Sequence, residues 1–306
     1  MRRRGVANRS ILAYAIFFLI AGCPALPCSS APLIIRYPSV VADDAYIIRT
    51  RYSVEVLSLI LDKARVDYRL EPIPVSTIPE SRVSVELRNG RYDVCWMHTN
   101  TNRESKMLPV RIPISRGLLG WRISLISPHK KQAFSQAKTL TDLRAFLAGQ
   151  GHDWPDTRIL RANNMQVITS VNRESLVAML TRDRIDYFPR SIAEIWDELD
   201  MHKNLKLVVE PKFAFWYPTA DYFFVRNDNH ELANLLTRGF ELAIADGSFM
   251  KLFDNHFASL IQKAKLEKRV ILHLENPYIP SETPLSRLAL WYMPPGVDLL
   301  TAIASN

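Results

Sequence analysis

The stretch YDVCWMHTNTNRE, residues 92–104, decides the fold of this chain. Val94 to His98 is a nearly continuous apolar run, the pattern of a strand covered on both faces in a parallel sheet. Small polar residues from Thr99 to Asn102 follow, and Arg103 comes next. Thr101 and Glu104 stand at capping-box spacing, which predicts a helix starting there. A strand that reaches a helix N-terminus through polar residues sets free backbone amides and a fixed cation at one edge of the sheet. In open α/β sheets that edge, beyond the carboxyl ends of the strands, is where ligands bind. Arg103 is therefore a candidate for gripping a small anion.

The pattern occurs twice. LRNGRYDV at 87–94 and LTRDRIDY at 180–187 each end a helix, turn, and enter a strand through an aspartate. Amphipathic helices precede both, in ESRVSVELRNG and in RESLVAMLTRD. After the second strand, Pro189 and Arg190 lead into SIAE, where Ser191 and Glu194 repeat the capping spacing. A lone arginine is usually a solvated surface charge. Two in equivalent loops make Arg103 and Arg190 candidates together.

Alternating α/β structure extends outward from the two cassettes. LIIRYP (33–38) and YRLEPIPV (68–75) are predicted strands, with an amphipathic helix, YSVEVLSLILDKA (52–64), between them. TRILRA (157–162) and LKLVVE (205–210) are read as later strands, and LLGWRISLI (118–126) and DYFFVR (221–226) as extended crossings. Residues 230–257 are two helices broken near ADGS, with Gly247 as the stop signal. The tail from Asn276 is proline-rich and is expected to wrap over the body.

With 306 residues, 48% hydrophobic and 23% charged, the chain can fold as two domains. Residues 1–31 stand apart: Arg2, Arg3, Arg4 and Arg9 precede the apolar ILAYAIFFLIAG, which is short for a bilayer span and fits a secretory signal. An uncleaved membrane anchor is the alternative. LIAGC at 19–23 resembles a bacterial lipobox that would put a lipid on Cys23, while CSSAPL offers small residues to an ordinary signal peptidase. Both routes stay open, and both give a periplasmic address. The four arginines supply half of the +8 formal charge, so the basicity belongs largely to targeting and a nucleic-acid partner loses its support. Only Cys95 of the three cysteines lies in the body, and it reads as a small core residue.

Taken in order, GRYDVCWMHTNTNRE, PVRIPISRGLLGWRISLI, LTDLRAFLAGQG, MLTRDRIDYFPRSIAEI and FELAIADGSFMKLFDNHF resemble the type II periplasmic solute-binding proteins of the bacterial amino-acid-binding family. The resemblance runs over roughly residues 33–257. It implies an α/β, two-lobed periplasmic-binding-protein-like II fold with two crossover segments. Lobe 1 would comprise 32–120 and 224–306, with a C-terminal wrap, and lobe 2 would comprise 121–223. Arg103 matches the family's carboxylate-binding arginine, and His98 and Thr99 its polar contacts from the first lobe. Tyr37 and Trp96 would form an aromatic wall, with Arg190 and Ser191 facing them from lobe 2. The implied function is to trap a small anionic, amino-acid-like or carboxylate solute for an ABC importer.

The chain departs from the family after the second cassette. Where amino-acid binders place an acid for the ligand's ammonium, FPRSI carries Arg190 and Ser191. Asp43, Asp44 or Asp153, in the GHDW loop, are the candidate replacements. An enzyme on this fold is the first rival, but the sequence has no serine elbow, metal-spaced histidine pair or phosphate loop, and no cofactor or metal is expected. A sensory component, working with a separate membrane sensor instead of a permease, is the second. Aromatic WYP at 216–218 is read as hinge packing rather than a stacking surface.

Overall fold

Strand β1 (Leu33–Ser39), helix α1 (Asp44–Lys63) and strand β2 (Tyr68–Pro74) form a parallel unit, in register from Leu33–Tyr68 to Ser39–Pro74. The computed structural model describes Met1 and residues 31–40, 44–75 and 80–297. The chain divides into Met1–Ala31 and Pro32–Asn306, and the fold given is that of the second unit. The expected signal with its Cys23, and Asp43, lie outside the described residues. Among those described, no helix is long and apolar enough to cross a membrane.

Helix α2 (Glu80–Arg88) leads to β3 (Val94–His98), α3 (Thr101–Glu104) and β4 (Met107–Val110). Asp93, the aspartate that opens the first cassette, accepts from the Arg36 backbone amide and from two guanidinium nitrogens of Arg36, each at 2.8 Å. It fastens β3 to β1. The second cassette repeats the device: Asp186 accepts from the backbone amide of Leu147 and from Lys130, at 2.8 and 2.7 Å. These bonds are the physical content of the sequence echo. Asn100, rather than Thr101, caps α3, because its side-chain oxygen accepts from the Arg103 amide at 3.0 Å.

The next run comprises β5 (Trp121–Ile126), α4 (Lys131–Gln136), α5 (Leu140–Leu143), β6 (Leu147–Gly151), α6 (Pro155–Ala162) and β7 (Gln166–Ser170). It continues through α7 (Arg173–Thr181), β8 (Phe188–Ser191), α8 (Ile195–Met201), β9 (Val208–Val209) and β10 (Phe213–Trp216). TRILRA lies in helix α6, not in a strand. Pro155 suits a first helical turn, and Ile159 and Leu160 are buried on one side. LKLVVE yields only the two-residue β9.

The chain returns through β11 (Asp221–Arg226), α9 (His230–Ala245), α10 (Ser248–Ala264) and β12 (Val270–His273). DYFFVR is more than a crossing: β11 is the central strand between β3 and β4, antiparallel to both. β3 thus carries an antiparallel ladder where a parallel one was predicted. The break between α9 and α10 falls at Gly247, whose φ of 77° suits glycine. α9 crosses α1 at Gly239, where an added Cβ would lie 2.0 Å from the Ile60 carbonyl oxygen. β12 pairs in parallel with β10, so part of 224–306 joins the sheet formed by 121–223.

Candidate ligand-binding site

Arg103 sits in α3, immediately past the polar end of β3. Its guanidinium folds back to donate to the His98 carbonyl. Thr99 is buried, and its hydroxyl donates to Glu104, which also pairs with Arg111. Arg103, Thr99 and Asn100 line a cavity of about 390 Å³, and Asp153 and Arg158 line it from the 121–223 segment. Arg88 and Lys106 stand on the same lining, so four cations face one acid. A cavity of that charge favours an anion, and a guanidinium fork adds directional hydrogen bonds.

A second cavity, of about 510 Å³, has the opposite character. Trp96, His98 and Asp221 line it on one side, Glu194 and Asp197 on another, and His256 from α10. His98 Nδ1 lies 3.3 Å from the hydroxyl of Thr219, which lines the first cavity. This pair is where the two cavities adjoin. His256 Nε2 lies 2.7 Å from Glu55.

Behind the acidic wall is a network of buried charges. Arg122, in β5, lies 2.6 Å from Asp156 and 3.5 Å from Glu194, and Tyr217 donates its hydroxyl to Asp156. Arg190 lies 3.3 Å from Glu194 and 3.0 Å from Glu198, with its guanidinium over the ring of Trp154 at 4.6 Å. Burial alone would raise the pKa of Glu194. Arg190 and Arg122, with a smaller contribution from His98, outweigh it and hold that carboxyl at about 2.

The sequence candidates therefore separate. Arg103, Thr99 and Asp153 meet in the cationic cavity, and Trp96 and His98 line the acidic one. Tyr37 packs its ring 5.9 Å from that of Trp96 and supports it from behind. Arg190 and Ser191 line neither cavity. They were expected in a loop, but both belong to β8, paired with Ile123 and Arg122 and buried along its length. A strand buried on both faces turns the arginine into the protein, where Glu194 and Glu198 neutralise it. Glu194 and Asp197 were missed as wall residues, because the SIAE spacing read as a capping box. Only part of that box forms, with the Ser191 amide donating to Glu194 at 3.3 Å. Among the described residues, no group of three or more His, Cys, Asp or Glu is placed to hold a metal.

No family model matches the chain, and no curated protein matches it. Solved structures do. The probable amino-acid ABC transporter extracellular-binding protein ytmK from Bacillus subtilis superimposes with a TM-score of 0.57 at 14% identity, over 74% of this chain and 98% of that one. An ancestral arginine-binding protein bound to glutamine gives 0.54 at 16% identity, over 74% and 99%. A histidine kinase sensor domain with similarity to periplasmic binding proteins gives 0.52 at 14% identity, over 74% and 96%. The chain thus has the two-lobed, type II periplasmic-binding-protein-like fold. Two of these three similar proteins are named as binding proteins and the third as a sensor domain.

Proposed function

We propose that the protein is an extracytoplasmic clamp that traps a small carboxylate-bearing, amino-acid-like solute between its lobes and delivers it to an ABC importer. The reading rests most on one observation: Arg103, after β3, and Arg158, from α6, line a single cationic cavity. The ligand's carboxylate is assigned to Arg103 there. Its ammonium is assigned to the adjoining acidic wall, where Glu194 stays ionised. Arg190 is paired with Glu194 and Glu198 inside the protein and lines neither cavity, so its charge does not stand against an ammonium group there. The proteins named above that bind or are expected to bind amino acids support the ligand class.

A sensory role is the second reading, favoured by the likeness to a histidine kinase sensor domain. Both roles need the same clamp. A thermal-shift screen of L-amino acids and dicarboxylates tests it. A ligand at a hundred times its Kd adds about 2.7 kcal/mol, or roughly 5 °C for a chain of this size. Arg103→Ala is expected to abolish that shift while leaving the unliganded melting temperature in place. An unchanged shift in the variant removes Arg103 from the site.

A further inference from the structure

The segment after β12 ties the whole fold together. Asn163 and Glu275 exchange two hydrogen bonds, of 2.8 and 2.9 Å, which fix the segment to the end of α6. Asn276 then donates to the Pro218 carbonyl at 2.8 Å, beside the crossing into β11. Further on, Arg287 grips Glu241 of α9 through two bonds of 2.6 Å, and the Tyr292 amide donates to Arg116 at 2.7 Å. Between these anchors, Asn276 and Tyr278 form part of the lining of the cationic cavity. The Tyr278 amide is itself held by the Asn276 side chain at 3.1 Å.

Arg158 stacks its guanidinium over the Tyr278 ring, 4.1 Å from the centroid, and both line the cavity with Arg103. An arginine on an exposed helix face samples many rotamers. A ring beneath it fixes the guanidinium plane and leaves the N–H edges available to an oxyanion. We propose that Tyr278 is a specificity-determining residue of the cationic cavity, orienting Arg158 so that one anion meets it and Arg103 together. This inference rests on the reading of that cavity as an anion site. Tyr278 acts through Arg158 and is a positioning residue.

The test is calorimetric titration of L-glutamate, succinate and inorganic phosphate into the full chain and into Y278F, Y278A, R158Q, Y278A/R158Q and R103A. The wild type is expected to bind at least one probe. Y278A and R158Q should each weaken it by about 3- to 30-fold, and the double variant should be no weaker than R158Q. Y278F, which keeps the ring, should stay within about twofold of the wild type. Wild-type affinity in Y278A overturns the inference, even with a lowered melting temperature, and so do losses that multiply in the double variant. If the wild type binds none of the probes, the anion reading of the cavity fails and takes this inference with it. If R103A loses binding while Y278A keeps it, the inference fails alone.

Discussion

Replacing Arg190 by methionine should damage stability more than ligand binding. The side chain is 6% exposed, and it is the nearer of the two arginines paired with Glu198, whose side chain is 1% exposed. The other, Arg173, stands at 3.6 Å. Removing the nearer partner leaves the buried Glu198 charge with Arg173 alone at the longer distance, and breaking a buried ion pair costs about 3–5 kcal/mol. At about 2 °C per kcal/mol for a chain of this size, the melting temperature should fall by roughly 6–10 °C. The second change, Glu198→Leu, made in the R190M background, should recover most of that loss, because well-packed apolar groups can replace a buried pair at little cost. Thermal unfolding followed by circular dichroism at neutral pH reads both effects. An R190M variant that melts with the wild type, or a double variant less stable than the single, refutes the buried network as drawn.

Glu194 carries a pH signature of defined sign. Its carboxyl is held at about 2 in the folded chain against an ordinary 4.5, so the stability it contributes is complete above 4.5 and lost as the pH falls toward 2. Stability measured by urea titration across that window should fall less steeply in Glu194→Gln; a superimposable pH profile counts against the assignment. Gly239→Ala should destabilise by about 1–3 kcal/mol through overpacking, since its Cβ would meet the Ile60 backbone at the crossing of α1 and α9. Denaturant unfolding checks it, and an unchanged midpoint contradicts the close approach.

Much of the architecture was legible because it is written in local pattern. The two aspartates that opened the cassettes proved to be the residues that tie β3 to β1 and β8 to β6. The helix break at Gly247 followed from its conformational freedom. Misreadings came where a tertiary choice decides. TRILRA has apolar residues whose short run does not distinguish strand from helix, and the preceding proline tipped it to helix. Arg190 looked like Arg103 because the spacing repeated, yet spacing does not say which way a strand's side chain points. In β8 it points inward to Glu198, while α3 leaves Arg103 on a cavity wall. Glu194 was visible as a cap, but its role as a wall depends on Arg122, 72 residues away in sequence, as well as on nearby Arg190. The contribution of Tyr278 comes from a tail with no periodic pattern to read.

The most direct measurement of the central claim is a crystal structure of the protein grown with the best compound from the thermal-shift screen. The ligand's anionic group should lie within hydrogen-bonding distance of the Arg103 guanidinium, between α3 and the N-terminal end of α6. A ligand bound elsewhere, with Arg103 directed into bulk water, contradicts the account.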